Sequence, residues 1–305
     1  MAPLPTRRLG KNGPDISALG FGLMGMSVGY GTTENDADCL KILDRAHELG
    51  ETFWDTADVY GDSEDLVGKW LKRTGKRNDI FLATKFANIM NWDTMQMEIN
   101  STPEYVKKAC DKSLQRLGVD QIDLYYCHRV DRKTPIEKTV AAMAELQKEG
   151  KVKYLGLSEV SSETLRRACA VQHIDAVQME YSPFAMEIES PASGLLKPCR
   201  ELGVATVAYS PIGRGFLTGA YKPPADFEEE KLNVLATKKN CTAGQLTLAW
   251  LMGQGEDIFP TPGTKKVKYL EANVGTLQVN LTRAEDAEIR QVVGETEVWG
   301  DRAAP

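Results

Sequence analysis

Residues 52–61 read Thr52-Phe53-Trp54-Asp55-Thr56-Ala57-Asp58-Val59-Tyr60-Gly61. The stretch opens as a short apolar strand, 52–54, and ends in a loop that carries a carboxylate, Asp55, and a phenol, Tyr60. Residues 63–71 then predict a helix, with Ser63 at the N-cap and Leu66, Val67, Trp70 and Leu71 on one apolar face. A phenol titrates near pH ~10, so it donates a proton poorly at neutral pH unless a cation lowers its pKa. The pair on one strand-to-helix loop therefore directs attention to a cation and to whatever the phenol protonates.

The same alternation repeats on both sides. Residues 7–9 and 15–17 flank Gly10-Lys11-Asn12-Gly13-Pro14, a hairpin signature. Residues 18–21 predict a first buried strand, followed by a glycine-rich loop, and 36–49 predict a helix from apolar spacing. Further strands are expected at 80–84, 122–127, 152–157, 176–179, 204–209 and 258–261. Helices are expected at 103–117, 135–148, 161–171, 191–202 and 242–252, with 267–274 and 283–293 after the last strand. Gly118 and Gly203 stand where a helix C-terminus takes a left-handed residue.

Buried strands alternating with helices imply a parallel sheet covered on both faces. Eight such units in 305 residues imply one α/β domain, 1–305: a (β/α)8 TIM barrel with an N-terminal β-hairpin and a C-terminal extra helix. A doubly wound sheet is the competitor, since Gly20-Phe21-Gly22-Leu23-Met24-Gly25 fits G-x-G-x-x-G. That fingerprint should open a helix directly, whereas 26–33 reads as loop, and no acidic residue closes a second strand at the expected distance.

Composition narrows the function. Hydrophobic residues at 42% and charged residues at 26% fit a folded globular chain and exclude a disordered one. A net charge of −6 offers no global attraction for nucleic acid or anionic lipid. No apolar run approaches the ~20 residues of a membrane span, and the first eight residues lack the apolar core of a signal peptide. The six cysteines include no C-x-x-C pair, so they read as reduced thiols of a cytoplasmic protein, with no metal site.

The strand ends of a (β/α)8 barrel converge on one face, where active sites are built. Here they carry Asp55, Lys85, His128, Ser158, Gln178 and Tyr209. Each alone has a plain structural reading: Lys85 snorkelling from a strand end, Asp55 capping its loop, His128 a satisfied core histidine, Tyr60 a rim aromatic. Together they make a chemical set. Lys85 is the cation the phenol needs, Asp55 can hold the lysine, and His128 can orient a carbonyl. Lys265, Lys266 and Lys268 form a cationic cluster at a helix start, either a solvated face or an anion site. A barrel hydrolase using Asp55 and a second carboxylate leaves Lys85 and that cluster unexplained.

Asp55-(x4)-Tyr60, Lys85 and His128 resemble the catalytic tetrad of the aldo-keto reductases. The similarity continues through Gly118-Val119-Asp120-Gln121-Ile122-Asp123-Leu124-Tyr125, Gly156-Leu157-Ser158, Val177-Gln178-Met179-Glu180-Tyr181, Tyr209-Ser210-Pro211 and Pro262-Gly263-Thr264-Lys265-Lys266. His128-Arg129-Val130-Asp131 and Ser158-Glu159 resemble the fungal, plant and bacterial branch of that family. The resemblance implies an NADP(H)-dependent oxidoreductase acting on a small aldehyde or ketone, with Tyr60 as proton donor. Lys85 would lower the Tyr60 pKa, Asp55 anchor Lys85, and His128 fix the carbonyl oxygen.

It further implies a cofactor held without a Rossmann fold. Ser158 and Gln178 would meet the nicotinamide carboxamide, and Tyr209 its ring. Ser210, Pro211, Ile212, Gly213, Arg214 and Gly215 would wrap the pyrophosphate. Gly263, Thr264 and Lys265 would approach the 2′-phosphate, with Tyr269 and Asn273 nearby, and Gly22, Met24 and Asp55 would also contact the cofactor. Tyr269 and Ala272 depart from the family pattern, which has Arg or Gln and Glu there, and the segment 221–241 is shorter than in close relatives. Tyr30 and Trp92 are the expected substrate walls. Some relatives are slow, cofactor-binding regulatory subunits of channels, which is the alternative reading.

Overall fold

The computed structural model describes residues 4–27, 35–190, 194–212 and 229–294. The N-terminal hairpin is β1 (Thr6–Arg8) paired antiparallel with β2 (Asp15–Ser17). Then come β3 (Gly20–Gly22), a single turn α1 (Met24–Ser27), α2 (Asp36–Leu49), β4 (Phe53–Asp55) and α3 (Ser63–Thr74). These lead to β5 (Phe81–Phe86), a second hairpin of β6 (Asn88–Asn91) and β7 (Gln96–Ile99), α4 (Pro103–Leu117) and β8 (Ile122–Cys127). The chain continues through α5 (Ile136–Lys148), β9 (Val152–Ser158), α6 (Ser162–Val171), β10 (Ala176–Glu180), α7 (Leu196–Leu202) and β11 (Ala205–Tyr209). It ends with α8 (Glu229–Lys238), α9 (Ala243–Gly253), β12 (Ile258–Pro260), α10 (Val267–Gly275) and α11 (Arg283–Gly294).

Eight strands pair side by side in the order β3-β4-β5-β8-β9-β10-β11-β12, all parallel. A parallel bridge between Gly22 and Gly263, with Gly22 N–H donating to the Pro262 carbonyl at 3.1 Å, joins the two outer strands. The sheet thus closes as the expected (β/α)8 barrel. The seam needs glycine: a Cβ on Gly22 would stand 2.7 Å from the Thr261 carbonyl oxygen, and one on Gly263 2.7 Å from that of Gly22. Gly22, the second glycine of the G-x-G-x-x-G match, therefore serves strand contact at barrel closure, and the doubly wound alternative falls.

Strand alternation sets which side chains enter the barrel. Leu9, Phe53, Ala83, Leu124, Tyr126, Ala176, Val207 and Phe259 form the inner apolar cluster, with Leu9 and Ile16 of the hairpin segment at its base. Trp54, Leu82, Phe86, Tyr125 and Cys127 belong instead to the larger cluster between barrel and helices. Two residues beyond an inward side chain lies the next inward one, now at the mouth. Phe53 thus leads to Asp55, Ala83 to Lys85, Tyr126 to His128, Ala176 to Gln178 and Val207 to Tyr209. Gly156 precedes Ser158 for a steric reason, because a Cβ there would meet the Tyr126 ring at 2.2 Å.

Several expectations need correction. Met26 and Ser27, expected in a loop, lie in α1, and the helix expected at 191–202 begins at Leu196. Ser63 is the first residue of α3, not its cap; the cap position is Asp62, which makes no side-chain capping bond. Ser63 instead accepts a bond from the Thr56 hydroxyl at 2.8 Å, inside the loop that carries Tyr60. The β6–β7 hairpin and α8 were not expected. The hairpin turns where the Asn91 side chain accepts from the N–H groups of Asp93 and Thr94, both at 3.1 Å, a local Asx turn. Helix α8 shows the missed signal in Leu232, Leu235 and Ala236, buried at helical spacing. Residues 221–228 of the short segment lie outside the described residues, as do 213–220 before it.

Candidate active site

Lys85 leaves the end of β5 fully buried. Its Nζ donates to Asp55 Oδ1 at 2.5 Å and to the Thr56 carbonyl at 2.7 Å. The second oxygen of Asp55 accepts from the Gln178 amide at 2.9 Å. Asp55 thus works as an anchor tied on both sides, not as a lone carboxylate facing water, and no second carboxylate bonds it among the described residues. A hydrolytic pair is therefore not built here. Tyr60 reaches back over this group from its loop, with Lys85 Nζ 4.9 Å from the centre of its ring. The His128 ring meets it edge-on at 5.7 Å. The structure therefore brings Asp55, Tyr60, Lys85 and His128 together.

The electrostatics differ in one respect from the sequence expectation. Burial raises the Tyr60 pKa; Lys85 opposes this, Asp55 adds to it, and the net shift is upward. Lys85 pulls the phenol down without bringing it below the ordinary value, because desolvation outweighs the nearby charge. The hydroxyl therefore keeps its proton at neutral pH. Burial alone would lower the Lys85 pKa, but Asp55 and Tyr60 more than offset it and Lys85 stays an ammonium. His128 is pushed well below its usual range by burial, then by Lys85 and Arg129, so it is neutral. Its Nδ1 is buried with no protein partner among the described residues.

Beside this group opens a cavity of about 310 Å³, the size of a small-molecule site. Of the sequence-predicted residues it is lined by Gly22, Met24, Asp55, Tyr60, Gln178, Tyr209, Ser210, Pro211 and Ile212, and by Gly263, Thr264, Lys265, Tyr269 and Asn273. Leu23, Gly25 and Thr261 also line it. Sequence reasoning missed these three, although Leu23 and Gly25 lie inside the glycine-rich loop and Thr261 directly follows β12. Ser158 is not on the wall: it is buried, its hydroxyl accepting from Arg129 Nη1 at 3.2 Å. Gly213, Arg214, Gly215 and Tyr30 lie outside the described residues. Trp92 is 52% exposed in the turn of the β6–β7 hairpin.

The far end of the cavity suits an anion. Helix α10 starts there with Lys266 at its cap and no side-chain capping bond, which leaves N–H groups of the first turn for a ligand. Lys265 lines the cavity; Lys268 does not, and its ammonium lies 4.7 Å from the ring centre of Tyr269, which does. The cationic cluster thus contributes one side chain to the cavity wall. Tyr209 is fixed at the other end: its hydroxyl donates to Glu159 Oε1 at 3.0 Å, and Glu159 also accepts from the Glu180 N–H at 3.1 Å. A wider groove of about 800 Å³ between α3 and α4 reaches Arg77, Asp123 and Lys153 near the starts of the strands, away from the tetrad.

A closed parallel barrel thus gathers a buried lysine–aspartate pair, a phenol and a neutral histidine at its mouth. The chain matches the model of the Aldo/keto reductase family over residues 18–293. It is 53% identical to aldo-keto reductase str7 of Strobilurus tenacellus, covering 99% of this chain and 96% of that protein. It is 47% identical to aldo-keto reductase yakc [NADP(+)] of Schizosaccharomyces pombe, covering 99% and 95%. Among solved structures it resembles the thermostable aldo-keto reductase Tm1743 in complex with the inhibitor epalrestat, with a TM-score of 0.81, 28% identity, and 95% of this chain and 100% of that one covered. The holo form of aldo-keto reductase AKR11C1 from Bacillus halodurans gives a TM-score of 0.82 at 28% identity, covering 97% and 98%. The chain belongs to the aldo/keto reductase family.

Proposed function

We propose that this chain is an NADP(H)-dependent oxidoreductase that interconverts small aldehydes or ketones and their alcohols, with Tyr60 as the proton donor. The observation that carries the reading is the grouping of Asp55, Tyr60, Lys85 and His128 beside a cavity whose far end holds Lys265 and an uncapped helix N-terminus. A relative at 47% identity is named for NADP(+), in agreement with that anionic end. The cavity fits such a group: Tyr209 supplies an aromatic face, Gln178 and Asn273 supply amides, and Lys265 with the α10 N-terminus suits a phosphate. When bound, the cofactor supplies the hydride.

The chain's own residues handle the proton and the orientation. His128, neutral and edge-on to the Tyr60 ring, bonds the substrate carbonyl oxygen and fixes its direction. Tyr60 gives its proton to that oxygen as negative charge develops on it, a general-acid step. A phenol of raised pKa suffices, because an alkoxide is a far stronger base than a phenolate. Lys85 stabilises the phenolate left behind, and Asp55, held by Gln178, keeps the ammonium charged and in place. In the oxidative direction the same groups return the proton.

The test is NADPH oxidation by the purified chain with 4-nitrobenzaldehyde and with pyridoxal. Steady turnover is expected. Tight NADPH binding with no turnover on either aldehyde would favour a slow cofactor-binding subunit instead.

A further inference from the structure

Tyr60 stands on a loop between β4 and α3, yet proton donation needs it held in one place against Lys85. Lys85 itself is immobilised by Asp55 and the Thr56 carbonyl. The loop's own bonds are few: Tyr60 N–H donates to the Ala57 carbonyl at 3.1 Å, and its carbonyl accepts from Ser63 N–H at 3.0 Å. What spans the loop from outside is a guanidinium on α4. Arg116 Nη1 donates to the Asp58 carbonyl at 3.1 Å, and Nη2 donates to the Gly61 carbonyl. These two carbonyls flank Tyr60 on either side.

The same guanidinium is fixed by acids. Its Nη1 also donates to Glu64 Oε2 at 3.1 Å, and Nε and Nη2 donate to Asp65 Oδ2 at 2.9 and 2.7 Å. Glu64 is fully buried, and its other oxygen accepts from the Thr84 hydroxyl at 2.7 Å. Thr84 immediately precedes Lys85 on β5, and Asp58 N–H bonds the Lys85 carbonyl at 3.0 Å. One side chain, 14% exposed, therefore ties the loop bearing the phenol to the strand bearing the ammonium. None of Arg116, Glu64 and Thr84 lines the cofactor cavity.

We propose that Arg116, acting through Glu64 and the Asp58 and Gly61 carbonyls, is a positioning residue that holds Tyr60 in register with Lys85 for proton transfer. The inference rests on Tyr60 being the proton donor. It predicts a residue that sets turnover without touching substrate or cofactor. A lysine cannot replace it, because a point charge on a flexible stem cannot reach two carbonyls and two carboxylates at once. A misplacement of about 1 Å can cost ~10²-fold in rate, so the loss should fall on kcat.

The experiment measures kcat, and NADPH affinity by fluorescence titration, for Arg116→Lys in the wild-type chain and in Tyr60→Phe. In the wild-type chain kcat per NADPH-binding site should fall at least roughly tenfold, with NADPH affinity unchanged. In Tyr60→Phe the same change should cost almost nothing, because the group it positions is already gone. A residue that only packs α4 against α3 would give the same loss in both backgrounds, and that result overturns the proposal. Unchanged kcat per binding site in Arg116→Lys overturns it as well. If Arg116→Lys does not fold, Thr84→Val breaks the link to Glu64 more gently. A several-fold loss of kcat confined to the Tyr60-containing background is then expected, and no loss refutes the proposal. If Tyr60→Phe alone keeps wild-type turnover, the proton-donor reading fails first. If it is inactive while Arg116→Lys is normal, only the positioning role fails.

Discussion

Two sides of the barrel mouth are built in opposite ways. On the side of β4, β5 and β8 the functional groups are buried, Asp55 5% exposed, Lys85 0% and His128 8%, and the first two are bonded to each other. On the side of β12 and α10 the rim is more open, with Tyr269 44% exposed and no side-chain cap on the helix start, although Asn273 is 8% exposed. The difference fits the work proposed for each side. A proton-transfer group needs one geometry, and burial with bonded partners supplies it while a low dielectric strengthens each charge. A group that captures an anionic ligand needs unspent donors, and these are inexpensive to keep only near water.

This contrast predicts that variants on the buried side change turnover and variants on the open side change binding. The largest effect is expected from Lys85→Met. It removes the charge that stabilises the Tyr60 phenolate and leaves Asp55 with the Gln178 bond alone. NADPH oxidation should slow by about 10²–10⁴-fold, with an altered pH profile for what remains and little change in NADPH affinity by fluorescence. A comparable loss of NADPH affinity would erase the distinction between the two sides.

Next comes Lys265→Ala, on the open side. NADPH should bind roughly tenfold more weakly, NADH as before, and kcat at saturating NADPH should hold. Titrations in which the unaltered chain binds NADPH and NADH equally would show that the open side does not read the extra phosphate.

The smallest effect concerns Glu51, a buried carboxyl outside both regions. Both its oxygens lack a hydrogen-bond partner among the described residues, and burial holds its pKa well above the usual 4.5. The folded chain therefore keeps a proton that the unfolded chain releases above pH ~4.5, and stability falls as pH rises from there towards the folded-state pKa. Glu51→Met should remove that contribution, adding about 1 kcal/mol in urea unfolding near pH ~7.5 and less near pH ~4.5. An equal or larger gain at the lower pH would contradict the sign.

Much of this architecture was legible in the sequence because parallel strands buried on both faces write themselves as apolar runs. β8 and α4 fall on the residues their patterns indicate, Ile122–Cys127 and Pro103–Leu117, the latter followed by Gly118 at φ 64°. The grouping of Asp55, Lys85 and His128 was legible as polar residues ending those runs, with Tyr60 on the loop after the first. What stayed hidden depends on contacts distant in sequence. Nothing near Gln178 says that its amide holds Asp55, 123 positions away. Nothing near Tyr60 says that burial outweighs Lys85, or that Arg116 spans its loop. The β6–β7 hairpin was missed for another reason: its residues are largely exposed, so no buried periodicity marks it.

The most direct measurement of the central claim is turnover and NADPH binding of Tyr60→Phe, alone and combined with Lys85→Met. The ring and its packing survive the change and only the proton is lost. The account predicts a fall in kcat of at least ~10²-fold with NADPH affinity nearly unchanged, and a double variant little worse than either single one. Near-wild-type turnover of Tyr60→Phe with normal NADPH binding would contradict it and leave the loop from Asp55 to Tyr60 a structural feature.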